Sequence, residues 1–238
     1  MQALHIITPV KDSLETAEQT IRAIAAARLD MPHQYTVYND FSTPETTQRL
    51  TELAEELGFR LVNLADVTQH PSPNYLLVLQ TAGREALAAE AGLCIVESDV
   101  TVAEDTLQRL YDETRNRPET GIAASVTTDA EGAVNYPYLY ARGKENRVFP
   151  TQKHVSFCCS LLTPALLRAF SFDLLDPTKH WFDVTISHEA TKAGLVNYLY
   201  TKLPVIHRPH QSRPWKQLKY TNPLKYYWLK LTRGFDKI

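Results

Sequence analysis

The sequence predicts an α/β fold, a mostly parallel sheet with helices on both faces, and three observations carry that prediction. Short apolar runs alternate with stretches whose apolar residues recur three and four apart, the helical spacing. From Ala3 to Val96 the order is strand, helix, strand, helix, strand, helix, strand, as in a doubly wound sheet. The fourth apolar run, Leu93 to Val96, holds no polar side chain, as befits a strand covered on both faces, and it ends on Glu97-Ser98-Asp99.

Each element has its own signal. Ala3 to Val10 reads as a first strand with Pro9 near its end, and Asp12 or Ser13 caps a helix carrying Ile21, Ile24 and Ala25 on one stripe. Tyr35 to Tyr38 is a second strand that breaks at Asn39-Asp40-Phe41-Ser42-Thr43. Thr43 then caps a helix opened by Pro44, striped by Leu50, Leu53, Ala54 and Leu57 and stopped by Gly58. Arg60 to Leu64 is the third strand, and a helix of small residues from Tyr75 to Ala91 closes on Gly92. Beyond the acidic pair come a helix at Glu104–Arg115, a strand at Gly121–Val126 and a turn at Asp129–Gly132. Tyr136–Pro150 follows as a loop or distorted hairpin, then a strand at Val155–Leu162 and a helix opened by Thr163-Pro164. A helix running to Lys192 and short strands at Val196–Leu199 and Leu203–Ile206 complete the pattern.

With 238 residues and a net charge of −2, the chain has ample apolar content for a core and no global charge that would draw it to nucleic acid. Its three cysteines, Cys94, Cys158 and Cys159, lack metal-type spacing and read as thiols of a reducing compartment. Neither a signal peptide nor a membrane span is evident, so the expected location is the cytoplasm. From Arg208 the composition changes: eight cations face Asp236 alone, interleaved with Trp215, Tyr220, Tyr226, Tyr227, Trp228 and Phe235. Such a tail suits peripheral contact with the inner face of a membrane, or packing on the domain or against another chain.

Glu97 and Asp99 flank one residue, so on an extended chain they point the same way, into the crevice where open α/β sheets bind ligands. Paired carboxylates there suit Mg²⁺ or Mn²⁺ carrying phosphates, although a solvated turn after a strand would look the same. Three stretches together resemble the family 2 glycosyltransferases of the GT-A fold. These are Ile7-Thr8-Pro9-Val10-Lys11-Asp12, then Val37-Tyr38-Asn39-Asp40-Phe41-Ser42-Thr43 where that family carries Asp-Asp-Gly-Ser-Thr, and Glu97-Ser98-Asp99 in place of its Asp-x-Asp metal motif. Asn39 and Phe41 depart from the family's Asp and Gly, and Glu97 from its first Asp.

The resemblance implies one catalytic domain over residues 1–207, its first hundred residues holding the nucleotide-sugar and residues 101–207 the acceptor, followed by the tail at 208–238. It sets Pro9, Asp12, Asn39, Asp40, Arg84, Glu97 and Ser98 around the donor, with Asp40 on the nucleoside and Arg84 clamping the diphosphate. Asp99, Glu97 and His207 hold Mn²⁺ or Mg²⁺, with His207 preferred over His210, and Asp183 is the catalytic base. The implied reaction moves a sugar from a nucleotide-diphosphate donor to the hydroxyl of a saccharide, lipid-linked or protein acceptor, with inversion. Two rivals remain. A nucleotidyltransferase pairs carboxylates with Mg²⁺ on a similar sheet, but the turn Pro9-Val10-Lys11-Asp12 lacks its glycine-rich phosphate loop. A non-catalytic membrane-associated binding module would make the tail the working part.

Overall fold

The computed structural model describes residues 1–151, 154–179, 181–208 and 222–233, without the side chains of 230 and 233. Four parallel strands, β1 (Ala3–Val10), β2 (His33–Asn39), β3 (Arg60–Asn63) and β4 (Ala91–Val96), are joined by α1 (Leu14–Ala25), α2 (Pro44–Leu57) and α3 (Tyr75–Ala88). Next come β5 (Val100–Thr101), α4 (Thr106–Arg115), β6 (Thr120–Thr128), β7 (Val148–Pro150), β8 (Cys159–Leu162), α5 (Pro164–Ala169), α6 (Phe182–Lys192), β9 (Val196–His207) and α7 (Pro223–Arg233). The sheet order is β3-β2-β1-β4-β8-β6-β9-β5, with β7 beside β9. Six strands run one way and β8, β5 and β7 run against them.

Period-two alternation divides the core. Ile7, Leu93, Ile95, Ile122 and Leu199 face α3, α5 and α6, whereas Ile6, Cys94, Val96, Ala123 and Tyr200 face the α1 and α4 side. On α2, Leu50 and Leu53 are fully buried with Val10, Ile21 and Val37, each contributing about 1.5–3 kcal/mol of burial. That helix begins and ends as its sequence dictates: Thr43 accepts from the Thr46 N–H at 3.3 Å, Pro44 takes the first turn, and Gly58 closes it at φ 75°.

Four sequence expectations shift. Ser13 caps α1 by position only, at φ 52° and without a side-chain bond. Helix α3 ends at Ala88 rather than Ala91, and Gly92 lies within β4, where a Cβ would meet the Met1 side chain and, at 2.8 Å, Leu161. Only Cys159–Leu162 of the predicted 155–162 strand pairs, because Ser156 is tied instead to the Tyr138 hydroxyl at 2.8 Å. The two predicted C-terminal strands are one, β9, with a register shift against β6 that accommodates Pro204 as a bulge.

Candidate active site

The carboxyl ends of β4 and β9 meet through β5. Val100 pairs with His207, and the Arg208 N–H donates to the Asp99 carbonyl at 2.9 Å. This main-chain pairing brings the His207 Nε2 to 3.5 Å from Asp99 Oδ2, both residues being buried. Glu97 enters from the same turn, closed by the Val100 N–H donating to the Glu97 carbonyl at 3.1 Å, and Ser98 sits half-buried within it.

Antiparallel β8 adds a group that the spacing of the cysteines did not reveal. The Glu97 N–H donates to the Cys158 carbonyl at 3.0 Å, and the Cys158 thiol donates to Glu97 Oε2 at 3.3 Å while lying 4.0 Å from His207 Nε2. Glu97, Cys158 and His207 each offer one ligand atom within 4.8 Å of the others. Tyr136 completes the surroundings: its carbonyl lies 2.8 Å from His207 Nδ1. A carbonyl only accepts, so Nδ1 carries a proton, and Nε2 is the nitrogen that takes up a second proton toward the acids or, in the neutral ring, offers its lone pair. The Tyr136 contact joins residues 71 apart in sequence and had no local signal.

Charge crowding is severe here. Burial pushes the Glu97 carboxyl up to about 7, and the charges of Asp99 and Asp183 add to that, while His207 and the Cys158 thiol pull it down. Burial would lower the His207 pKa, but the bond to Asp99 and the charges of Asp99 and Glu97 raise it instead. Burial, with the Glu97 charge behind it, lifts the Cys158 thiol well above its ordinary value. Two carboxylates, an imidazole and a thiol that disturb one another this strongly fit a divalent cation, which would compensate the crowded negative charge. Asp183 belongs to the same field. It lies in the first turn of α6, half-buried, its Oδ1 accepting from the Val184 N–H at 2.9 Å.

A second part of the crevice lies at the ends of β1 and β2, where two turns are stitched together. Lys11 donates to the Phe41 carbonyl at 2.5 Å, Asp12 Oδ1 accepts from the Thr43 N–H at 2.8 Å, and the Asp40 N–H donates to the Val10 carbonyl at 2.8 Å. The Thr43 bond holds the Asp12 carboxyl below its ordinary range. Half-buried Pro9 sits one residue short of this seam. Asp12, Ser13 and Phe41 all adopt the left-handed backbone, with φ of 52–55°. Such backbone costs a non-glycine residue about 1–3 kcal/mol, and Phe41 adopts it where the resembled family carries glycine.

Asp40 is buried, and its carboxylate accepts from the Ser72 hydroxyl at 2.7 Å and from the Asn74 N–H and side-chain amide, each at 2.8 Å. Asn39 turns inward: its amide donates to Thr47 and Asn63, both at 2.9 Å, so it braces the turn and does not face a ligand. Arg84 is not brought to the site. It is exposed and pairs with Asp173 at 3.2 Å, and its neighbour Glu85 pairs with Arg60, the first residue of β3. That is the level of the strands' amino ends, opposite the crevice, because α3 runs back along the sheet. His210 and most of the tail lie outside the described residues, Arg208 and residues 222–233 excepted. Among the described residues no helix is long and apolar enough to cross a membrane, and all three cysteines are free and buried.

No protein-family model matches the sequence, and no curated protein matches it. Solved structures do resemble it. S. aureus TarS (residues 1–349) superposes with a TM-score of 0.65 at 14% identity, over 92% of this chain and 64% of that one. The mannosyltransferase PcManGT from Pyrobaculum calidifontis, in complex with GDP-Man and Mn²⁺, gives 0.61 at 16%, over 96% and 64%. GalNAc-T7 with UDP, GalNAc and Mn²⁺ gives 0.64 at 9%, over 87% and 44%. The chain thus spans less than two thirds of each. At these identities what is shared is architecture: a mostly parallel sheet with helices on both faces gives this chain the GT-A fold of the glycosyltransferase structures it resembles.

Proposed function

We propose that the protein transfers a sugar from a nucleotide-diphosphate donor to an acceptor hydroxyl, with inversion. The observation that carries this reading is the meeting of Asp99 and His207 at 3.5 Å, from strands far apart in sequence, with Glu97 on the same turn. Neighbours of the same fold are solved with UDP-GlcNAc, with GDP-Man and Mn²⁺, and with UDP and Mn²⁺, which supports a donor of this class. Asp99 and His207 would hold Mn²⁺ or Mg²⁺ with Glu97 in support, and the bound cation supplies charge neutralisation for the departing diphosphate.

Asp183 takes the proton of the acceptor hydroxyl as its oxygen attacks the anomeric carbon, from the face opposite the breaking bond to the diphosphate. At the nucleoside end, the Pro9 to Asp12 turn and Asp40 form the wall. Ser72 and Asn74 fix the plane of the Asp40 carboxylate, and a base or ribose donor takes its remaining lone pair. Ser98 lies between the two acids, within reach of the donor. Incubating the protein with UDP- and GDP-sugars and Mn²⁺ is expected to release nucleoside diphosphate. Release of pyrophosphate, or no metal-dependent turnover with any such donor, would overturn the reading.

Residues 208–238 carry a net charge of +7, which leaves −9 on residues 1–207. Helix α7 has two apolar faces. Tyr226, 5% exposed, and half-buried Leu229 lie on one, whereas Leu224 (85% exposed), Tyr227 (54%), Trp228 (58%) and Leu231 (84%) share the opposite arc of roughly 100°. A bare apolar arc with two aromatic rings, inside a strongly cationic segment, matches an anionic bilayer surface and a lipid-linked acceptor. Flotation of the full chain with phosphatidylcholine–phosphatidylglycerol vesicles is expected. Changing Trp228→Glu together with Leu231→Glu should cut partitioning about tenfold or more, since each exposed side chain contributes on the order of 1–3 kcal/mol when buried. Equal flotation of the double variant would refute the contact.

A further inference from the structure

The residues around Asp99 and His207 include one that an oxygen-rich magnesium site does not need. Cys158 points its thiol into the cluster, 3.3 Å from Glu97 Oε2 and 4.0 Å from His207 Nε2, while His207 Nε2 stands 3.5 Å from Asp99 Oδ2. Bonds of about 2.0–2.3 Å to Zn²⁺ imply tetrahedral edges of about 3.3–3.8 Å; the Glu97–Cys158 and His207–Asp99 separations match that range, and the Cys158–His207 separation lies just beyond it. The adjacent Cys159 offers no such option: its thiol is buried beside Ser125 and Cys94.

We infer that Cys158 is a metal ligand of this site and that, with His207 and Glu97, it gives the site a preference for a borderline-soft cation, Zn²⁺, over Mg²⁺. Thiolate sulfur and imidazole nitrogen are donors that Zn²⁺ accepts readily and Mg²⁺ does not, whereas two carboxylates alone would favour the harder ions. On binding, the thiol proton passes to water and the freed sulfur lone pair bonds the ion, which balances the step. The ring is already set for it, because the Tyr136 carbonyl keeps the proton on Nδ1. The inference rests on the metal-binding half of the proposed function but is separable from it.

Cobalt(II) is the probe, since a thiolate bound to it gives an intense near-ultraviolet charge-transfer band that carboxylates and imidazole do not. Titrating the full-length protein with Co²⁺ is expected to produce that band with one equivalent, and adding Zn²⁺ should abolish it. By calorimetry, Cys158→Ser should weaken Zn²⁺ about a hundredfold while changing Mn²⁺ by less than about threefold, a split that loss of fold would not produce. Co²⁺ bound without the band refutes Cys158 as a ligand and leaves the transferase reading standing. Failure to bind Co²⁺, Zn²⁺ or Mn²⁺ at all refutes both.

Discussion

Exchanging Asp99 for asparagine is expected to lower turnover by about a thousandfold or more, corresponding to the several kcal/mol that a Lewis-acid cation supplies to a developing diphosphate charge. The loss should appear in metal-dependent donor binding as well, since Asp99→Asn removes a charged ligand from an ion that also holds the donor. Folding should survive, because the contribution of residue 99 to the β5–β9 seam is its carbonyl, which accepts from the Arg208 N–H at 2.9 Å. The pKa of His207 should fall in the variant, since the Asp99 bond and charge are its leading upward influences. Calorimetry with donor and Mn²⁺ is the check. Unchanged affinity would remove Asp99 from the site.

The other large effect concerns the proton. With Asp183→Asn, kcat should drop by about 10²–10⁴-fold, the range lost when a positioned general base is removed, whereas donor KM stays within about threefold. Asparagine retains a side-chain oxygen that can accept from the Val184 N–H, so the first turn of α6 keeps its local bond. The Glu97 carboxyl should become easier to ionise, since Asp183 is one of the charges that push its pKa up. A kcat within tenfold of the wild type would show that another group takes the acceptor proton.

What sequence could reveal here follows from how local each signal is. Strands β1, β2 and β4 and helices α1 and α2 are legible because periodicity, a capping Thr43 and a terminating Gly58 act over a few residues. Asp99 was legible as a carboxylate at a strand's end, and His207 through resemblance to a known family. Cys158 was not, because its place beside Glu97 depends on β8 entering the sheet antiparallel between β4 and β6, a pairing that no spacing encodes. Arg84 misled for a related reason: its position on α3 was sound, but that helix runs back along the sheet and carries residue 84 to the wrong end. The break predicted between Leu199 and Leu203 was false for the same kind of reason, since a register shift against β6 lets β9 run on through residues 200–202.

The seam between β5 and β9 has a consequence for how the protein could be handled. Backbone hydrogen bonds hold the turn of Glu97–Asp99 against the end of β9. The entropy of bringing these chain segments together is therefore met when the chain folds and is not deducted from the affinity for an incoming ion. Dialysis should suffice to trade one metal for another at this position, with no need to unfold and rebuild the polypeptide around each.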